Sequence, residues 1–157
     1  MSAITLQTTI DAPIERCFLL SLSVDLHKKS TSTTNETAIA GITKGIMYLG
    51  DDVTWEANHF GFKLHMTTKI SAYNKPIFFV SEMVKGPFKK LYHQHLFEYA
   101  NNKTIMTDIF ELKAPLGFLG TIAERLFLTN YMKKFLILRN NCIKETAEGQ
   151  NWVKFIS

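Results

Sequence analysis

The sequence predicts an α+β fold in which a curved antiparallel sheet of six or seven strands wraps one long C-terminal helix, with two short helices after the first strand. Three observations carry this expectation. Residues 37–112 divide into apolar-rich segments separated by short turns, as in an antiparallel meander. Residues 119–143 place apolar side chains mostly at three- and four-residue spacing. The opening strand runs at once into a proline-started helix.

Taken in order, Ile4, Leu6 and Ile10 alternate with Thr5, Gln7 and Thr9, the period-two pattern of a half-buried strand. Asp11-Ala12-Pro13 ends it. Asp11 is placed to cap a helix, and Pro13 suits a first turn because its missing N–H has no partner there. Residues 13–21 then form a short helix with Ile14, Cys17, Phe18 and Ser21 on one face. A second helical turn is expected over 23–29, and the polar run from His27 to Glu36 reads as a loop. Strands follow at 38–40, 53–58, 62–73, 77–84, 88–99 and 104–112. Gly41, Gly45, Gly50, Phe60-Gly61, Asn74-Lys75-Pro76, Lys85-Gly86-Pro87 and Asn101-Asn102-Lys103 separate them, each chemically suited to a turn. Pro115-Leu116-Gly117 breaks the last strand. The helix that follows carries Leu119, Ile122, Ala123, Leu126, Leu128, Tyr131, Met132, Phe135, Leu136, Cys142 and Ile143 toward the core. Glu124, Arg125, Lys133, Lys134, Asn140, Asn141, Lys144 and Glu145 lie opposite. Ending by Gly149, about 28 residues would give a rod of roughly 40 Å, enough to cross the whole sheet. No repeat or linker interrupts the chain, so residues 1–157 are expected to form one domain.

Composition narrows the function classes. Hydrophobic residues are 46% and charged residues 20% of the chain, a globular balance rather than a disordered one. The net charge of +4 is spread over pairs such as Lys28-Lys29, Lys89-Lys90 and Lys133-Lys134, and no nucleic-acid motif accompanies them. No nucleic-acid partner is expected; the pairs read as solvated faces, compatible with weak peripheral contact with anionic membrane surfaces or with a protein partner. Cys17 and Cys142 match no metal or redox spacing and fit a reducing, cytoplasmic setting. The N-terminus has no secretory pattern, and no stretch approaches the roughly 20 apolar residues of a membrane span. Nucleophile elbows and glycine-rich phosphate loops are also missing.

A concave apolar sheet crossed by a single helix leaves a hollow that the helix cannot fill, and such hollows are the usual small-molecule sites. The 12 phenylalanines suit either a cavity wall or a plain aromatic core. At this level the chain resembles the START-like superfamily, also called the Bet v 1-like or SRPBCC fold, and in particular bacterial SRPBCC proteins of unassigned function. The resemblance covers nearly the whole chain. It rests on Ile10-Asp11-Ala12-Pro13-Ile14-Glu15-Arg16-Cys17-Phe18, on Gly50-Asp51-Asp52-Val53-Thr54-Trp55-Glu56-Ala57 and on Phe78-Phe79-Val80. It rests also on Gly86-Pro87-Phe88, His93-Gln94-His95-Leu96-Phe97, the Asp108 strand and Pro115-Leu116-Gly117. The resemblance implies a helix-grip fold that serves as a ligand-binding scaffold; family members include lipid and sterol carriers, hormone receptors, polyketide cyclases and coenzyme Q-binding proteins. One fold hosting many activities leaves function to the site.

The expected ligand is a hydrophobic small molecule, lipid, polyketide or isoprenoid-like. Its expected lining is Trp55, His59, Leu64, Met66, Phe79, His93, His95, Phe97, Leu126 and Met132. His93 and His95, two apart on a strand, share one face, which is either the cavity or solvent. His59 and His65 flank the Phe60-Gly61-Phe62 turn, within reach of the same region. Asp108 either faces water or is buried against a partner such as a histidine, whose basicity it would raise. His-x-His lacks a further ligand at supporting spacing, so no metal and no cofactor are expected. Pro115, Gly117 and Gly120 are placed at a bend beside the cavity mouth, and the tail Trp152–Ile156 is expected to pack back on the domain. Two alternatives stay open: a cyclase- or dehydratase-like enzyme with histidine as general acid/base, and a protein-interaction module. Monomer and homodimer are equally compatible with the sequence.

Overall fold

In the computed structural model, residues 2–59 and 61–156 are described, the side chains of residues 118, 121, 124 and 125 excepted. Strand β1 (Ser2–Ile10) leads into helices α1 (Ile14–Ser21) and α2 (Val24–Ser30). Six strands follow: β2 (Thr37–Gly41), β3 (Asp52–His59), β4 (Phe62–Asn74), β5 (Phe78–Lys85), β6 (Lys90–Ala100) and β7 (Lys103–Lys113). The last helical segment comprises α3 (Gly117–Ala123), a π turn over Glu124–Leu128 and α4 (Thr129–Glu148), before a short α5 (Val153–Ile156).

All seven strands join one antiparallel sheet in the order β1-β7-β6-β5-β4-β3-β2. Short turns between sequential strands impose the meander, and only β1 crosses over to pair with β7. Register shifts between Ala38 and Ala40 in the β2–β3 pair, and between Thr67 and Thr68 and Ile70 and Ala72 in the β4–β5 pair, add local twist and curvature. At Gly41 (φ 73°) a Cβ would lie 2.3 Å from the Asp52 carbonyl oxygen, so this close approach of β2 to β3 requires glycine. The concave face carries the alternate residues Leu91, His93, His95 and Phe97 of β6 and Thr104, Met106, Asp108, Phe110 and Leu112 of β7, all buried.

Helix α1 plugs one end of the concave face. Phe18 is fully buried with Tyr73, Phe79 and Phe97 edge-on around it, ring centroids 5.4–5.5 Å away. Asp11 does not cap this helix: Pro13 occupies the N-cap position, and the Asp11 backbone N–H donates to Glu148 Oε2 at 2.8 Å. Helix α2 continues to Ser30, through residues expected to form a loop, because the Ser23 hydroxyl caps it and Val24 and Leu26 bury against the core. The tail does pack back. Trp152, Phe155 and Ile156 lie against the core around α1, with the Arg16 guanidinium 4.0 Å over the Trp152 ring.

The long helix departs from expectation. It is not one continuous α-helix, since the π turn divides it, and Leu119, Ile122 and Leu126 are exposed rather than buried. Asn140, expected on the polar face, is instead buried, together with its neighbour Arg139. Among the described residues, no helix is long and apolar enough to cross a membrane.

Candidate functional site

The space between the concave face and α4 holds a cavity with two lobes that meet at Glu36, Trp55, Met66, Leu91, Met132 and Phe135. The inner lobe, about 120 Å³, reaches α1–α2 and is bordered by Ser21, Ser81, His93, His95 and Arg139 as well as apolar side chains. The outer lobe, about 260 Å³, is nearly all apolar and extends past Ala57 and Leu64 to Pro87, Phe88, Leu128 and the exposed Pro115. Each lobe far exceeds the roughly 10–15 Å³ that one water needs.

His93, His95 and Arg139 border the floor of the inner lobe, and behind them they bond to two further buried polar residues, Asp108 and Asn140. Strand register sets His95 directly opposite Asp108, while His93 pairs with Phe110 one step along. Asp108 Oδ1 accepts from His93 Nε2 at 2.7 Å and lies 3.4 Å from His95 Nδ1 and 3.5 Å from Arg139 Nη1. Its other oxygen, Oδ2, accepts from Asn140 Nδ2 at 2.7 Å. The Arg139 guanidinium donates to Asn140 Oδ1 at 2.9 Å, and its Nη2 lies 3.4 Å from His95 Nδ1. The two imidazoles stack at 3.7 Å, and His95 also stacks on Phe79 at 4.1 Å. Among the described residues no buried side-chain polar atom lacks a partner, the condition under which a buried network rigidifies a fold.

The charge state follows from this geometry. Burial by itself favours a neutral Asp108, but hydrogen bonds from His93 and His95 and the Arg139 charge prevail and hold its carboxyl well below the ordinary range. Burial lowers both histidines, and the adjacent His93 ring pushes His95 lower still. Burial also lowers Arg139, with Asp108 opposing the shift. The cluster therefore consists of one carboxylate, one guanidinium and two neutral imidazoles, with no net charge.

His93, His95 and Asp108 bring three potential metal-ligand atoms within 4.8 Å of one another. The Arg139 guanidinium lies against two of those same atoms, Asp108 Oδ1 and His95 Nδ1. A divalent cation there would face a buried positive charge, so the donor set fits the guanidinium rather than a metal.

A second polar group stands where the lobes meet. Glu36 is buried and accepts from His27 Nε2 at 2.9 Å. Burial opposes its ionisation, yet the contact with His27 outweighs burial and keeps the carboxyl below its ordinary value. His27 rests on Trp55, ring centroids 4.4 Å apart. In the outer lobe His59 Nδ1 meets the Tyr131 hydroxyl at 2.5 Å, and burial lowers His59.

Trp55, His59, Leu64, Met66, Phe79, His93, His95 and Met132 all border the cavity. Two expected lining residues do not. Phe97 is buried behind the wall, packed on Phe18 and Phe79, and Leu126 is 59% exposed because the π turn rotates it away from the sheet. His65 is on the convex side, exposed and 2.7 Å from Glu56. The bend does adjoin the outer lobe: Gly117 has φ 53°, and a Cβ on Gly120 would lie 1.8 Å from the Pro115 carbonyl oxygen. Sequence reasoning missed Arg139, Asn140, Glu36 and Tyr131 as site residues. Only Arg139 left a signal, as a charge inside the stripe Leu136–Ile143–Ala147.

The fold is thus a helix-grip of the START-like, Bet v 1-like kind: seven curved antiparallel strands around a C-terminal helix, with two short helices after β1. Solved structures agree over nearly the full length. A protein from Thermus thermophilus superposes with a TM-score of 0.74 at 13% identity, covering 92% of this chain and 95% of that one. Major latex-like protein 151 of Panax ginseng gives 0.68 at 14% identity, over 94% and 98% of the two chains. A START superfamily protein from Mycobacterium smegmatis gives 0.68 at 9% identity, over 93% and 97%. No protein-family model and no curated protein matches the sequence.

Proposed function

We propose that this protein binds a hydrophobic small molecule, of lipid, polyketide or isoprenoid-like character, inside the two-lobed cavity. The observation that carries this is the division of the lining: an almost wholly apolar outer lobe joined to an inner lobe floored by a neutral, fully bonded polar cluster. Burial of ligand surface in the outer lobe supplies the driving force, at roughly 25 cal/mol per Å² before association costs. The inner lobe favours an uncharged polar end such as a hydroxyl or carbonyl, since the Asp108 and Arg139 charges already offset each other.

Native mass spectrometry of the purified protein, with solvent extraction, tests this directly, and a co-purifying apolar molecule is expected. Uptake of a fluorescent fatty-acid analogue gives a second readout. Ala57→Phe, which fills the outer lobe, should weaken that uptake by about tenfold or more, equivalent to roughly 1.4 kcal/mol. A clean apo mass together with uptake unaffected by Ala57→Phe would remove the basis of this reading.

A second reading, proton-transfer catalysis of the cyclase or dehydratase kind, draws on one observation. His95 is a neutral imidazole bordering the inner lobe beside Asp108. His95→Gln separates the two: a carrier keeps its ligand, whereas an enzyme still binds but loses turnover.

A further inference from the structure

Helix α3 and the π turn carry an apolar stripe that the fold leaves uncovered. Leu116 is 79% exposed, Leu119 68%, Ile122 41%, Leu126 59% and Phe127 66%. Leu119, Ile122 and Leu126 recur at three- and four-residue spacing, Phe127 adjoins them in the π turn and Leu116 precedes α3; the main contacts of α3 are with the π turn itself rather than with the sheet. Single exposed leucines are ordinary, but five large apolar side chains within twelve residues form a patch that marks an interaction site.

The location of the patch narrows its partner. Pro115 and Leu128, which bracket the segment, both border the outer lobe, so the patch lies at the cavity mouth. Across the mouth, exposed Lys85 and Lys89 flank the Pro87-Phe88 turn. The backbone of exposed Lys113 accepts the Lys89 N–H at 2.8 Å, which brings a third lysine to the same rim. The nearest acid on β7, Glu111, is engaged by Lys90 at 2.7 Å. An apolar helical face bordered by lysines matches the interface of an anionic bilayer: apolar side chains enter the acyl boundary while the lysines meet phosphate. A second copy of this chain would instead set the same lysines against themselves.

We propose that this rim docks on anionic lipid bilayers, with Leu119 and Phe127 as apolar anchors, so that the cavity mouth faces the membrane. Docking does not require the cavity to be filled, so it stands or falls separately from the ligand-binding reading.

Co-sedimentation with two kinds of vesicle tests it, one of phosphatidylcholine alone and one equimolar in phosphatidylcholine and phosphatidylglycerol. The wild-type protein is expected to pellet with the second and only weakly with the first, and added salt should release it. Leu119→Gln/Phe127→Gln should reduce that binding about tenfold or more, as should Lys85→Glu/Lys89→Glu. Ile137→Gln, on the flank of α4 that faces β1, should not. All these positions are exposed, so circular dichroism should show native folding throughout. Wild-type indifference to both vesicles overturns the proposal, as does full binding by the Leu119/Phe127 variant. If vesicles are ignored and the same variant abolishes self-association in sedimentation velocity, the patch belongs to a second copy and docking is refuted.

Discussion

Replacing Asp108 with Asn keeps the shape of the side chain and removes its charge. An amide can accept on one atom only, whereas Asp108 accepts on both oxygens, from His93 and Arg139 on one and from Asn140 on the other. If the new amide oxygen faces His93, its NH₂ meets the Asn140 NH₂. If it faces Asn140, its NH₂ meets the Arg139 guanidinium. Either orientation sets donor against donor and leaves Arg139 as an uncompensated buried cation. Breaking a buried pair from one side costs about 3–5 kcal/mol, a large part of the 5–15 kcal/mol typical of a whole domain. Urea unfolding at pH 7 followed by circular dichroism measures this. Adding Arg139→Met to the Asn variant removes the stranded charge and should restore much of the loss. A cost below about 1 kcal/mol for Asp108→Asn, or no recovery in the double variant, would refute the account of the cluster as a mutually dependent ion pair.

The buried histidines set a pH response of definite sign. Burial lowers His93 and His95, so below about pH 6.5 the unfolded chain takes up protons that the folded chain refuses. Their contribution to stability is complete above that pH and is lost as pH falls, with a limiting slope of about 1.4 kcal/mol per pH unit per histidine; Asp108, also lowered, adds its loss only below about pH 4. Urea titrations at stepped pH should show His95→Gln flattening the decline between pH 6.5 and 5, and an unchanged slope would contradict the assignment. In the apolar core, Phe18→Ala removes the ring that Tyr73, Phe79 and Phe97 surround. It should cost about 3–5 kcal/mol in the same assay, and a loss under 1 kcal/mol would mean that the core around α1 closes over the gap.

The sheet was legible because its signals are local. Alternation and turn chemistry mark each strand from its own residues, so even the six-or-seven strand estimate and the shared face of His93 and His95 came through. Asp108 was readable as far as a choice between water and a histidine; strand register decides that choice, and register is a property of two strands at once. The helix misled for a related reason. Leu119, Ile122 and Leu126 continue the apolar periodicity of Met132, Leu136 and Ile143 closely enough to suggest one stripe. A π turn winds by more residues than an α turn and offsets everything beyond it, by roughly 100° for each residue gained. No residue in Glu124–Leu128 announces that offset. Asn140 was placed on the polar face, and Arg139 was assigned no role, because a charged or amide residue on a helix defaults to solvent and only the carboxylate on a distant strand makes burial affordable.

The polar cluster also has a mechanical consequence. Asp108 joins β7 to α4 through Asn140 and Arg139, and His93 and His95 add β6 to the same knot, all within the second half of the helical segment. Glu148 binding the Asp11 N–H and Arg16 binding the Ala147 carbonyl fasten the far end to the start of α1. The first half is tied to β3 instead, where the Tyr131 hydroxyl meets His59 Nδ1 and Phe135 packs on the same imidazole. The segment is therefore a beam clamped by an ionic network toward its C-terminal end and held over the outer lobe by the neutral Tyr131–His59 contact. The roof of the apolar lobe thus hangs on a contact that involves no paired charges, whereas the polar end is held through Asp108 and Arg139.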